Sequence, residues 1–336
     1  MVLEKIKYHY NDLGIVPAAI SDISSRKEVN TYLEDGSLPV FTAPMSTVVS
    51  EKNWNIYHEN NIIPIIPRNV DFKTRMGLLK QFQWVAFSLK EIDEFKLMGD
   101  GQYKVCVDVA NGHMKCLYDK IKELKTKYPN FIIMTGNIAN PETYYAISKM
   151  NEEFYGTHKV LLVDYLRFNI GSGSGCITST CCGVHYAPAS LIADSLYLKE
   201  VYGLKHTPKI IADGGIRGYS DVIKALALGS DYVMIGSLFA RCEESSAEKI
   251  NVLDKKYAVF YGMASRDGQR DLNLNSKTPE GMVKRLEVNN TIPNFSKELH
   301  DYMASAMSYC GCKTLGDFIG KQKLVVNSTN SVKSIN

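Results

Sequence analysis

The chain has 336 residues, 45% of them apolar and 22% charged, with 24 Gly and 11 Pro. That composition excludes disordered, collagen-like and fibrous proteins, and the length admits either two domains or one α/β barrel. Lysine and arginine number 39 against 36 acidic residues, a formal net charge of +3; the basic residues are scattered, so nothing selects a nucleic-acid partner.

Short β-rich apolar runs recur at 39–43, 62–66, 84–88, 104–109, 131–135, 159–164, 209–212 and 231–235, with helical periodicity between them, as at 115–128 and 220–228. Continuous apolar strands alternating with helices predict parallel strands covered on both faces, and eight such units close into a (β/α)₈ TIM barrel. A doubly wound sheet would carry G-x-G-x-x-G after its first strand; Pro44-Met45-Ser46-Thr47 stands there instead. Residues 1–326 therefore read as one barrel domain and 327–336 as a polar C-terminal tail. Residues 1–5 do not open a signal peptide, and no apolar run approaches the ~18 residues that cross a bilayer, so no membrane partner and a cytoplasmic location are expected. The eight cysteines show no C-x-x-C pair and no zinc-finger spacing, which predicts reduced thiols, with Cys106 in the core.

In a barrel the chemistry belongs on the loops that follow the strands, and four runs are followed by suitable residues. Asp108 and Asn111 close the fourth. Gly171, Ser172, Gly173, Ser174, Gly175 and Cys176 follow the sixth, Asp213-Gly214-Gly215 the seventh, and Gly236-Ser237 the eighth. The glycine-rich stretch exposes backbone N–H groups able to hold an anion, and places Cys176 where such dipoles favour the nucleophilic thiolate. Taken alone it is also an ordinary flexible turn with an incidental cysteine. The loops after strands seven and eight suit a phosphate group. Asp213 then reads either as an acceptor for ribose hydroxyls or as a helix N-cap.

The segments 171–178 (Gly-Ser-Gly-Ser-Gly-Cys-Ile-Thr), 211–217 (Ile-Ala-Asp-Gly-Gly-Ile-Arg) and 233–240 (Val-Met-Ile-Gly-Ser-Leu-Phe-Ala) resemble the IMP dehydrogenase/GMP reductase family. The resemblance runs from Asn11-Asp12 through Ala43-Pro44-Met45 to 304–309. It implies a cysteine that attacks C2 of a purine nucleotide, hydride exchange with a nicotinamide, a mobile flap near 264–290 and a homotetramer. Of the two activities it favours the reductase. There is no room for a CBS insertion between runs two and four, Glu280-Gly281 replaces the dehydrogenase's Gln-Gly, and no water-activating Arg-Tyr pair occurs between Arg266 and Pro279.

The implied scheme places GMP with its phosphate on Ser174, Gly215, Gly236, Ser237 and Tyr261, its ribose on Asp213 and its base against Met263 and Ala264. Cys176 is the nucleophile, Thr178 and Glu280 assist loss of ammonia, and NADPH, held by Asp108, Asn111 and Lys277, reduces the adduct to IMP. Carbonyls of Gly171, Gly173 and Cys176 are the candidate holders of a monovalent cation such as K⁺. Three positions depart from the family pattern: Ser46 where Asp is common, Ser179 where Arg often stands, and Asn169 where Gly is usual. The alternatives are a dehydrogenase without CBS modules, acting on IMP with NAD, and a catalytically silent nucleotide-binding barrel.

Overall fold

A computed structural model describes residues 6–95, 101–274 and 278–327. Eight parallel strands, β1 (Val40–Thr42), β2 (Ile65–Ile66), β3 (Trp84–Phe87), β4 (Lys104–Asp108), β5 (Ile132–Ile138), β6 (Tyr165–Phe168), β7 (Lys209–Asp213) and β8 (Tyr232–Ile235), pair in chain order, and β8 pairs with β1. The ring is completed between β1 and the residues leading into β2. There Ile63 N–H donates to the Val40 carbonyl at 2.9 Å and Thr42 N–H to the Ile63 carbonyl at 3.0 Å. The fold is the predicted (β/α)₈ barrel.

The outer helices form where apolar residues recur at helical spacing. The helix Lys115–Lys127 buries Leu117, Tyr118, Ile121 and Leu124 and turns Lys115, Lys122 and Lys127 outward; Lys125 is buried, where its ammonium meets Asp164 at 2.9 Å. The helix Pro141–His158 starts where Asn140 accepts the Glu142 N–H and Pro141 fills the first turn.

Seven of the eight predicted strands overlap an observed one; the sixth does not. Residues 159–164 form a connection, and β6 begins at Tyr165. Lys159 ends the preceding helix in the left-handed region at φ 59°. The Asn151 side chain then grips Val163 through two hydrogen bonds of 2.9 Å, accepting its N–H and donating to its carbonyl. Leu162 and Val163 are buried against the core beneath the barrel wall instead of entering the ladder, so hydrophobicity there is not a strand signal.

Alternation along the strands sorts the lumen into layers. Trp84, Tyr165 and Tyr232 open their strands and, with Phe41, close the N-terminal end as an aromatic plug; Phe41–Trp84 and Trp84–Tyr165 meet edge to face at 5.7 and 5.3 Å. Two residues further along β6 lies Arg167, with Asp108 at the end of β4 and Asp213 at the end of β7, at the C-terminal end of the strands. An antiparallel sheet follows β8: β9 (Lys249–Val252), β10 (Lys255–Tyr261) and β11 (Val283–Glu287). The segment Leu13–Ile15 pairs with Leu324–Val326, and Asn327 N–H donates to the Asp12 carbonyl at 2.8 Å. Residue 327 thus belongs to this pairing; the rest of the predicted tail lies outside the described residues. Among these, no helix is long and apolar enough to cross a membrane.

Phe41 is 1% exposed and touches three aromatic rings of the plug. Phe41→Ala should lower unfolding stability in urea by about 3–5 kcal/mol, the usual cost of an aromatic cavity; a loss under about 1 kcal/mol would show that the plug does not hold the barrel together.

Candidate active site

After β6 the chain crosses Asn169 at φ 95° and Gly171 at φ 81°, conformations that explain why glycine is usual at the first and needed at the second. A Cβ on Gly171 would lie 2.8 Å from that of Ser179. Cys176 N–H donates to the Gly173 carbonyl at 3.0 Å, turning the loop back towards the mouth. The segment before β11 then runs antiparallel along it. Ile177 N–H donates to the Glu280 carbonyl and Met282 N–H to the Gly175 carbonyl, each at 3.0 Å. Gly281 has no room for a side chain, since a Cβ would sit 3.0 Å from Ser265 N and 3.2 Å from the Gly175 carbonyl.

This strap brings together three side chains, two of them 102 residues apart. The Cys176 thiol donates to Thr178 Oγ1 at 3.2 Å, and the Thr178 hydroxyl donates to Glu280 Oε2 at 2.8 Å. Beside them opens a cavity of about 230 Å³. Its wall contains Ser174, Cys176, Asp213, Gly215, Gly236, Ser237, Met263, Ala264 and Glu280, nine of the residues singled out from the sequence.

The IMP dehydrogenase/GMP reductase domain model matches residues 86–335. The chain belongs to this family. Its members are oxidoreductases of purine nucleotide metabolism that use a nicotinamide cofactor. The chain is 28% identical to the GMP reductase of Oceanobacillus iheyensis, over 96% of both chains, and 29% identical to that of Staphylococcus epidermidis, over 92% of this chain and 93% of the relative. It is 33% identical to the inosine-5′-monophosphate dehydrogenase of Borreliella burgdorferi over 68% of its own length. It spans about half the length of the dehydrogenases it matches, 55% of that one and 44% of the one from Chlorobaculum tepidum.

Beneath the cavity of this family member lies an ion network that the sequence reading missed. Arg167, 6% exposed, bonds Asp108 Oδ1 through Nη1 at 2.9 Å and lies 3.2 Å from Asp213 Oδ2 through Nε. Arg68 donates to the other oxygen of Asp108 at 3.0 Å. Asn137 bridges the network: its Nδ2 donates to Asp213 Oδ2 at 2.8 Å, and its Oδ1 accepts from Arg167 Nε at 3.1 Å. Burial opposes ionisation of Asp108, but Arg167 and Arg68 outweigh it and hold the carboxyl below its ordinary range. Burial raises Asp213, and Arg167 and Asn137 offset this only in part. Burial pushes the Cys106 thiol beneath Arg167 up to about 12, an inert core thiol as expected. Arg167 and Asn137 both lie just past the predicted ends of their strands, 164 and 135, so no strand pattern marked either.

Several side chains have partners other than those the resemblance implies. Tyr261 does not line the cavity: its hydroxyl donates to Asp271 at 3.0 Å, and the preceding Phe260 fills the wall, because alternation along β10 turns the two to opposite sides. Asp271 also accepts from Ser46 Oγ at 2.6 Å, so a carboxylate from a distant segment stands beside the serine that replaces the family's aspartate. Ser179, in place of arginine, donates to the Gly171 carbonyl at 2.9 Å. That carbonyl and the one of Gly173 each accept one donor within the loop, and a carbonyl oxygen keeps a second lone pair; no step is routed through a cation. Among the described residues no cluster of three His, Cys, Asp or Glu side chains could hold a metal. Asp108 does not line the cavity, and exposed Asn111 accepts the His113 N–H at 3.0 Å on the loop after β4. Lys277 lies outside the described residues.

Because the folded state holds Asp108 below its unfolded value, the carboxylate stabilises the fold at neutral pH, and that contribution is lost as pH falls from about 4 through the folded value. Asp108→Asn should cost about 3 kcal/mol at pH 7, since it leaves a buried guanidinium short of a partner. Urea unfolding at pH 7 and pH 3 should show the gap to the parent chain narrowing at the lower pH; a gap that widens there would refute the assignment.

Proposed function

We propose that the chain is an NADPH-dependent GMP reductase that converts GMP to IMP and ammonia. The observation that carries this reading is the directed hydrogen-bond line from the Cys176 thiol through Thr178 to Glu280. A dehydrogenase must activate water against its thioimidate, whereas a reductase must supply a proton to a departing amine. A thiol, a hydroxyl and a carboxylate in series serve the second need with a proton already on the line. The overlap of 92–96% with curated reductases supports the same choice.

In the proposed pose the 5′-phosphate sits on Ser174, Gly215, Gly236 and Ser237. The base lies against Met263 and Ala264, and the ribose meets the Asp213 oxygen not engaged by Asn137. Sγ of Cys176 attacks C2. The thiol proton passes to Thr178 as Thr178 passes its own to Glu280, and the same line returns a proton to the C2 amino nitrogen. Ammonia leaves with that proton, and C2 remains bonded to sulfur, so atoms balance. A reduced nicotinamide dinucleotide, when bound, supplies the hydride that C2 then accepts. Cys176 departs from C2 as a thiolate and takes a proton from solvent. Asp108, fixed by two arginines, and the exposed amide of Asn111 suit the polar groups of such a cofactor in kind. Binding of GMP and IMP, a homotetramer and a cytoplasmic location belong to the same proposal.

The decisive experiment follows NADPH absorbance with GMP and assays ammonia; reduction of NAD with IMP instead would mark a dehydrogenase. Cys176→Ala should abolish turnover, and treatment of the parent chain with a 6-halopurine nucleotide should add the purine mass to Cys176. Glu280→Gln should lower kcat of GMP reduction about 10²–10⁴-fold, the range of a lost general acid. Unchanged turnover in that variant would remove the proton line from the mechanism.

A further inference from the structure

The cavity wall is assembled from separate loops, and one carboxylate outside the proton line ties two of them together. Asp271 ends the short helix Arg266–Asp271, which follows β10 and the wall residues Gly262, Met263 and Ala264. A single oxygen of it, Oδ2, accepts two hydroxyls, that of Ser46 at 2.6 Å and that of Tyr261 at 3.0 Å. Ser46 follows the wall residue Met45 on the loop after β1, 225 residues away in the chain. The family pattern places a carboxylate at position 46; here the carboxylate comes from the other side of the joint.

Each side of the tie is seated by further contacts. On the barrel side the Ser46 carbonyl accepts the Ser246 hydroxyl at 2.6 Å. On the other side Ser265 caps the helix by accepting the Gly268 N–H at 3.0 Å, and Gly268 packs so closely that a Cβ there would lie 2.6 Å from Met263 Cα. Gln269 Nε2 donates to the Ala264 carbonyl at 3.3 Å. The helix and residues 262–264 thus form one piece, and Asp271 fastens that piece to the barrel, with a longer bond from the Thr47 hydroxyl to the Tyr261 carbonyl, at 3.3 Å, beside it. The adjacent cation, Arg270, pairs with Asp267 at 3.3 Å, so what Asp271 supplies is an acceptor oxygen rather than half of an ion pair. Burial first, then Asp271, push the Tyr261 phenol above its ordinary range, with Ser46 pulling the other way, so at neutral pH the ring keeps the proton it donates.

We propose that Asp271 is a positioning residue for the purine base: by holding Ser46 and Tyr261 on one oxygen it fixes Met263 and Ala264 relative to Met45 and so sets the width of the base pocket. This deepens the reductase reading and rests on it for the identity of the base. The proton line is held separately. Two backbone bonds join Glu280 and Met282 to the Cys176 loop, against one from Glu280 N–H to the Ala264 carbonyl, at 3.1 Å, so loss of the tie loosens the base and leaves the chemistry in place.

The test measures kcat and KM for GMP with NADPH, and equilibrium binding of GMP and of IMP by calorimetry, on the full chain and its variants. Asp271→Ala should raise KM and weaken both nucleotides about tenfold, the order of a lost charge-assisted hydrogen bond, with kcat within about threefold of the parent, the signature of lost uniform binding. Asp271→Asn keeps an acceptor oxygen in place and should return KM to within about threefold of the parent, since a neutral acceptor forfeits only part of the bond. Ser46→Asp sets two carboxylates against each other and should raise KM; adding Asp271→Ser, which leaves one carboxylate facing one hydroxyl, should recover most of that loss. These variants keep the test decisive even where Asp271→Ala fails to fold. A merely structural role would lower the unfolding midpoint and the yield of active protein without separating KM from kcat, and that pattern would overturn the proposal. An Asp271→Asn variant as impaired as Asp271→Ala, or a Ser46→Asp loss that Asp271→Ser does not relieve, overturns it too. GMP reduction with KM unmoved in Asp271→Ala overturns this inference alone. Weakened GMP and IMP binding that Asp271→Asn restores, in a chain that never oxidises NADPH, supports the tie and overturns only the reductase reading.

Discussion

Two backbone hydrogen bonds between 175–177 and 280–282 are the constraint on which the site depends. They convert a flexible glycine-rich loop and a distant segment into one short antiparallel pair. The register that brings Gly281 against Ser265 and Gly175 also places the Glu280 carboxylate on the Thr178 hydroxyl. The geometry of the acid is thus set by main-chain pairing, which is stiff, and not by the long glutamate side chain, which is not. Positioning of this kind lets a barrel loop carry chemistry that needs tenths of an ångström.

A buried ion network forms a second layer beneath the cavity wall. Arg167 is buried, and a buried guanidinium persists only when its charge and its donors are matched. Asp108, Asp213 and the Asn137 carbonyl supply that match from three other strands. Because each comes from a different strand, the network also fixes strand positions relative to one another at the catalytic end, as the aromatic plug does at the other. A cost in desolvation is exchanged for a carboxylate, Asp213, held in one orientation at the cavity wall.

Much of this was legible in the primary structure. Strand-loop-helix alternation gave the barrel, the glycine pattern picked out Cys176, and the loops after the last two strands picked out residues that share its cavity. These signals are local: each rests on residues within one turn or one strand of each other. The reading went astray where apolar residues served something other than the ladder, as Leu162 and Val163 do beneath β6, and where the direction of a side chain decided its role, as with Tyr261 and Phe260.

The sequence by itself determined the fold class, the identity of the thiol and the family, because hydrophobic periodicity and backbone freedom at glycine are properties of short segments. Only the tertiary structure decided that Glu280 reaches Thr178, that Asn137 and Arg167 clamp Asp213, and that Asp271 stands behind Ser46. Those relations join residues tens to hundreds of positions apart, and nothing along a chain encodes how far apart two distant residues come to lie until the barrel has closed and its strands have taken their register.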